Sequence, residues 1–237
     1  MFVKTPAILL AIIKYNDSDA VIKTYTAQTG FTNFFIRGFY KGRKARSKKA
    51  LLQPNALLEL SFDYKNKGQL EQLKESQTLY HYKNFHTDFD KLNVSTFLRE
   101  VLLESLKNEQ EDPVLFDFIY KAFIKLDQES FHPDFHIWFM FELSKFLGFY
   151  PDFDADGHYF DLQNAIFTNK LPLSPYLNIE ESQLFKKASG MIFAYKKGKL
   201  SQKDRQRLIN ILLKYYEQHI SQFKWPKSVK ILNQIYE

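Results

Sequence analysis

Read for hydrophobic and polar order alone, the chain changes character partway along. Up to about residue 80 the apolar residues come in short runs at 7–13, 20–25, 31–36, 56–62 and 70–79. β-branched and aromatic side chains are frequent in the first three. Turn-forming clusters separate the runs: Asn16-Asp17-Ser18-Asp19, Thr29-Gly30 and Lys65-Asn66-Lys67-Gly68. Five short strands at this spacing predict a small barrel, which has no open edge to protect.

From about residue 94 the spacing turns helical. Val94, Phe97, Leu98, Val101 and Leu102 form one apolar stripe, and Leu115, Phe118, Ile119, Ala122, Phe123 and Leu126 repeat it. Residues 135–149 are apolar nearly all round and close at Gly148, which predicts a buried helix. Leu208, Ile211, Leu212, Tyr215, Tyr216 and His219 mark a further amphipathic helix, opened by Ser201 with Asp204 three residues on. Pro226 suits the first turn of a last short helix ending at Tyr236. The stretch 151–177 is less regular and reads as an inserted lobe or long loop. The expected architecture is α+β: a barrel domain over 1–80, then a helical domain over 81–237 carrying the lobe.

Charge follows the same division. The whole chain carries 33 Lys and Arg against 27 Asp and Glu, a net +6. Residues 1–75 hold thirteen cations and six acids, so the first third is +7 and the remaining 162 residues are −1. Seven of the cations lie in Arg37-Gly-Phe-Tyr-Lys-Gly-Arg-Lys-Ala-Arg-Ser-Lys-Lys49. Arg37, Lys41, Arg43, Lys44, Arg46, Lys48 and Lys49 are placed to neutralise phosphates, with Phe39 and Tyr40 as candidate stacking groups. Phe31 and Phe35 on the preceding strand share a face with Arg37 by two-residue alternation. The bland alternative is a solvated basic connection between strands.

Other chemistry is excluded or weak. The chain has no cysteine, so disulfides, thiolate metal sites and a thiol nucleophile are impossible. It contains neither a Walker-type phosphate loop nor a G-x-G-x-x-G fingerprint. Asp152, Asp154, Asp156 and Gly157 match the start of a calcium loop, but position twelve is Gln163 and the bidentate Glu is missing, which favours a polar turn. His132 and His136 have zinc-helix spacing without the Glu a zinc protease needs. Trp138, Phe139, Phe141, Phe146 and Phe149 are expected to be core. The longest early apolar run, 7–13, is far shorter than the ~20 residues of a membrane span, and no signal peptide is recognisable. A cytoplasmic location is expected.

The order of short landmarks resembles the bacterial RecO family across nearly the whole chain. These are Ala7-Ile-Leu-Leu-Ala-Ile-Ile13, Asp19-Ala-Val-Ile22, Gly30, Arg37-Gly-Phe-Tyr-Lys-Gly with the basic run to Ser47, Leu52-Gln-Pro54 with Leu57-Leu-Glu-Leu60, and Phe141-Glu-Leu-Ser-Lys-Phe-Leu-Gly-Phe-Tyr-Pro-Asp152. The resemblance implies an OB-fold barrel followed by a helical domain. It also implies a non-enzymatic recombination mediator without cofactors, one that binds single- and double-stranded DNA and anneals complementary strands. The partners it implies are RecR, the acidic C-terminal tail of the single-strand-binding protein, and RecA. Many members carry a four-cysteine zinc site after the Leu-Gly-aromatic-x-Pro turn. Here 152–171 has none, so the lobe is expected to be metal-free and held by Phe153, Tyr159, Phe160, Leu162, Ile166 and Phe167. Two other readings stay open: a helical adaptor that binds acidic tails through Lys186, Lys187, Lys203, Arg205 and Arg207, and an RNA-binding barrel.

Overall fold

The computed structural model describes residues 1–65, 70–85, 87–192 and 200–235. The chain divides into two compact units, 1–129 and 130–237. The division expected at residue 80 falls inside the first of them.

The first unit is built on a closed five-stranded barrel in the order β1-β2-β3-β5-β4. Its strands are β1 (Phe2–Lys14), β2 (Ala20–Thr26), β3 (Gly30–Ile36), β4 (Leu57–Asp63) and β5 (Glu71–Tyr80). The long β1 serves two neighbours. Its first half pairs with β4 (Phe2↔Asp63 to Ile8↔Leu57) and its second half with β2 (Ala7↔Thr26 to Lys14↔Ala20), with a register shift between Leu9 and Ala11 where it bends. A short parallel pairing, Phe34↔Glu71 and Phe35↔Gln72, closes the barrel. Along β3 the alternation is strict: Thr32, Phe34 and Ile36 face in, while Phe31, Asn33 and Phe35 face out. Val3, Ala7, Leu9, Ile22, Phe34, Leu58, Leu60 and Phe62 fill the interior. Phe34 meets Phe62 edge to face at 4.8 Å.

The basic connection is not wholly irregular. After Gly38 and Gly42, which take φ of 62° and 117°, it forms a short helix α1 (Ala45–Leu51) that packs against β5. Leu52 and Phe39 both join the barrel core. The Lys65-Asn66-Lys67-Gly68 turn falls largely outside the described residues.

Helices α2 (Phe89–Ser105) and α3 (Pro113–Gln128) belong to this unit, each opened by an aspartate cap. Asp88 accepts from the Lys91 N–H, and Asp112 accepts from the Val114 and Leu115 N–H groups with Pro113 in the first turn. Asp127, at the end of α3, explains the grouping. Its carboxylate accepts from the Tyr80 hydroxyl and from the N–H groups of Lys83, Asn84 and Phe85, so the segment after β5 is clamped to α3. Buried Lys91 donates to the Asp127 and Glu129 carbonyls. Gly30 takes φ of 61°, and a Cβ there would lie 2.5 Å from the Gln110 backbone carbon, so only glycine lets the connection between α2 and α3 approach β3.

The second unit contains α4 (Phe135–Phe146), β6 (Tyr159–Asp161), β7 (Ile166–Thr168), β8 (Tyr176–Leu177), α5 (Ile179–Ile192), α6 (Gln202–His219) and α7 (Val229–Ile235). α4 ends where Gly148 adopts φ of 79°; its N–H donates to the Lys145 carbonyl and that of Phe149 to the Ser144 carbonyl. Ser201 caps α6 by accepting from the Asp204 N–H, as its spacing predicts. Pro226 precedes α7 instead of opening it, accepting from Val229 in the turn ahead of the helix, and Tyr236 lies outside the described residues.

The lobe is a three-stranded sheet in the order β7-β6-β8, where the sequence suggested an irregular stretch. Strands of two or three residues are too short to show alternation. Phe153, Phe160, Phe167, Phe185 and Tyr215 interlock through ring contacts of 4.8–6.1 Å and Leu162 is buried, whereas Ile166, expected to help hold the lobe, is 41% exposed. Asp161 closes the β6–β7 turn by accepting from the Gln163 and Asn164 N–H groups and from the Ser174 hydroxyl.

Candidate nucleic-acid interface

The barrel offers one outward face that is both aromatic and cationic. On β2 and β3, Val21 lies opposite Phe35 and Lys23 opposite Asn33. Tyr15, 63% exposed, stands edge-on to Phe35 with ring centroids 5.3 Å apart. At the other end of these strands the face is covered. Tyr25 stacks on Phe116 of α3 and its hydroxyl reaches the Gln110 carbonyl, while the Phe31 N–H donates to Glu109. Of the two aromatics sharing a face with Arg37, Phe35 therefore lies toward the open end and Phe31 toward the covered one.

The basic segment is fastened to the turn between β1 and β2. The Gly38 N–H donates to Asp19 Oδ1 at 2.7 Å, and the Tyr40 N–H donates to the Ser18 carbonyl at 2.8 Å. Asn16 orders that turn by accepting from the Ser18 and Asp19 N–H groups. The Gly38 N–H, together with the Asn16 amide and the Arg37 charge, holds the Asp19 carboxyl below the usual carboxylate range.

From this anchored base Arg37, Lys41, Arg43, Lys44, Arg46 and Lys49 are exposed. Lys48 is half-buried, its ammonium donating to the Arg37 carbonyl. Lys49 sits over the Tyr40 ring at 5.4 Å. A groove of about 360 Å³ runs beside α1, lined among others by Phe35, Arg37, Lys48, Gln72 and Lys74. The six exposed cations are held on folded backbone next to an open aromatic row. That arrangement can neutralise successive phosphates while ring faces accept bases.

Two sequence-derived assignments need correction. Phe39 is only 4% exposed, packs into the barrel core and meets Tyr40 edge-on at 5.0 Å, so it cannot stack a base. Its neighbours are all charged, glycine or aromatic, and nothing in that local pattern marks it as the residue that turns inward. Arg205 is 7% exposed and donates to Asp134 at 2.6 Å inside the second unit, so it is not a surface cation for a partner. Its position on the buried face of α6, three residues before Leu208, could have shown this. Of the remaining candidates on α5 and α6, Lys186 pairs with Asp156 at 3.1 Å and lies over Phe167, Arg207 pairs with Glu180 at 3.2 Å, and Lys187 and Lys203 are exposed. Tyr15, Lys23 and Lys74 belong to the barrel surface but were missed. Their contribution depends on strand pairing and on the β5 position opposite α1.

The acidic turn behaves as a turn. Asp152 Oδ1 accepts from the Asp154 and Ala155 N–H groups and Asp156 is engaged by Lys186. Among the described residues no group of three or more His, Asp or Glu is placed to hold a metal ion. His132 accepts from the Asp134 N–H at the start of α4, and His136 is buried. Burial, with the charges of Arg205 and His132, pushes His136 down to about 3, so it stays neutral at physiological pH. No helix among the described residues is long and apolar enough to cross a membrane.

Two family models match the chain. Recombination protein O N terminal covers residues 1–82 and Recombination protein O C terminal covers 86–228. Proteins called DNA repair protein RecO are similar over the full length of both chains: 35% identical in Flavobacterium johnsoniae, 32% in Flavobacterium psychrophilum and 31% in Christiangramia forsetii. With matched regions spanning both the barrel and the helices, the chain belongs to the RecO family of DNA repair and recombination proteins.

Proposed function

We propose that this chain is a DNA-binding recombination mediator of the cytoplasm that anneals complementary single strands and helps load recombinase onto single-stranded DNA. The observation that carries the reading is the row of exposed cations in 37–49, anchored by Asp19 and continuous with the Tyr15–Phe35 aromatic edge. Phosphate neutralisation on Arg37, Lys41, Arg43, Lys44, Arg46 and Lys49 lowers the repulsion between two strands. Stacking on Tyr15, Phe35 and Tyr40 leaves the pairing edges of the bases exposed. Annealing by this route needs neither a nucleotide cofactor nor a catalytic residue. RecR, RecA and the acidic tail of the single-strand-binding protein are the partners proposed on the family resemblance. Exposed Lys187 and Lys203, with the paired Lys186 and Arg207, supply cations that suit an acidic tail.

The test is annealing of complementary strands coated with single-strand-binding protein, comparing the wild type with a variant in which Lys41, Arg43, Lys44 and Arg46 are replaced by Glu. Loss of annealing in the variant, with an unchanged fold by circular dichroism, is the expected result. Undiminished annealing would exclude the segment. Equal competition by RNA of the same length would point instead to a general nucleic-acid-binding barrel.

A further inference from the structure

A second groove, about 330 Å³, lies on the side of α1 away from Lys48 and Leu52. Ala50 and Leu51 of α1 form one wall, Tyr80 and Tyr82 another, and Leu92 of α2 a third, with Asn55 among the lining residues. Both tyrosines are held. The Tyr80 hydroxyl donates to Asp127, the Tyr82 hydroxyl donates to the Asn55 carbonyl at 2.8 Å, and the Tyr82 ring stacks on Phe85 at 4.1 Å with 6° between planes. Leu92 is 40% exposed.

Asn55 is the unusual member. It is 6% exposed, adopts φ of 70°, and donates through Nδ2 to Ser95, yet its side-chain Oδ1 is buried with no hydrogen-bond partner among the described residues. Its backbone carbonyl is the acceptor that holds Tyr82 in the groove wall. No acidic residue is among those lining the groove, and α1 carries Arg46 and Lys49 exposed on the same short helix.

We propose that this groove receives a nucleobase of a single strand whose phosphates follow the cations of α1. The base would lie against the Tyr80–Tyr82 wall. α1 thus acts as a ridge, with the backbone on its crest and a base inserted beside it. The inference rests on the DNA-binding reading above and adds to it a defined base-accepting site away from the Tyr15–Phe35 edge. Rigid aromatic walls beside a row of cations are the general makeup of sites that stack the bases of a single strand.

The experiment compares the affinities of full-length protein for a short oligodeoxycytidylate and for an abasic strand of equal length and charge. The wild type is expected to bind the intact strand about tenfold more tightly. Leu92→Trp, which fills the groove from a partly exposed position, is expected to reduce that preference at least about threefold while leaving the abasic affinity unchanged. A wild type that binds both strands equally, or a preference unchanged in Leu92→Trp, would overturn the pocket while leaving DNA binding intact, and would leave the groove to a protein partner. Failure of the wild type to bind either strand would remove the DNA-binding reading and the pocket together.

Discussion

The Gly38 N–H donates a 2.7 Å hydrogen bond to the carboxylate of Asp19, nineteen residues earlier, and so ties the start of the basic segment to the turn between the first two strands. An acid within a cationic surface is counterproductive for DNA affinity unless it has a structural use. Here it accepts from a backbone N–H that the left-handed Gly38 turn would otherwise leave outside the strand ladder.

The Asp19 contact predicts a split between order and charge. Asp19→Ala is expected to raise the rate of limited tryptic cleavage at Arg43 and Lys44 roughly severalfold, because the opening of an anchored loop governs access. Far-UV circular dichroism should stay unchanged. An unaltered cleavage rate would mean the loop is held by α1 alone.

Aromatic residues two dozen positions apart are expected to separate cleanly in their effects. Phe39→Ala removes a core side chain and should cost about 3–4 kcal/mol of stability in urea denaturation. Tyr15→Ala acts on an exposed ring and should leave stability within about 0.5 kcal/mol while weakening single-strand binding by about 1 kcal/mol. The reverse pattern would exchange their roles.

The buried pair in the second unit gives a sharper stability contrast. Removing Arg205 strands Asp134, itself 8% exposed, without its cation, and Arg205→Ala should cost about 3–5 kcal/mol. Lys203→Ala, two residues earlier on the exposed side of α6, should fall within about 0.5 kcal/mol. Thermal melts of the two variants make the comparison.

Asp127 should contribute to acid sensitivity. Burial raises its carboxyl, but the N–H groups of Lys83, Asn84 and Phe85 and the Tyr80 hydroxyl outweigh burial and hold it below the usual 3.8. A group depressed in the folded state stabilises the fold above its ordinary value, and that stability disappears as pH falls through the lower folded value. Asp127→Asn should therefore lose about 2 kcal/mol at neutral pH and show a flatter acid limb in urea denaturation followed against pH. An acid limb identical to the wild type would assign the sensitivity elsewhere.

What was legible in the sequence follows the range of the interactions. The five strands were readable because short runs, the first three rich in β-branched and aromatic residues, are separated by turn clusters such as Asn16-Asp17-Ser18-Asp19 and Thr29-Gly30, and the start of α6 because Ser201 and Asp204 sit three apart. Local chemistry sets both. The helix α1 was hidden because its sequence, Ala45-Arg-Ser-Lys-Lys-Ala-Leu51, has almost no apolar stripe and its stability comes from Leu52 and Phe39 entering the barrel. The cations of 37–49 could be identified by density. Which aromatics stand beside them could not, since Phe39 is drawn into the barrel core while Tyr15 stays exposed and meets Phe35 across the strands. The grouping of α2 and α3 with the barrel likewise depends on Asp127 reaching back more than forty residues to the segment after β5.

The central claim is that the anchored cations of 37–49 contact the phosphate backbone, and the salt dependence of single-strand affinity tests it most directly. With about four to six phosphates contacted, the logarithm of affinity against the logarithm of salt concentration should fall with a slope of about −3 to −4. Replacing Lys41, Arg43, Lys44 and Arg46 together by Glu should flatten that slope and weaken binding by several kcal/mol, about 1 per lost contact. An unchanged slope and affinity in that variant would contradict the account.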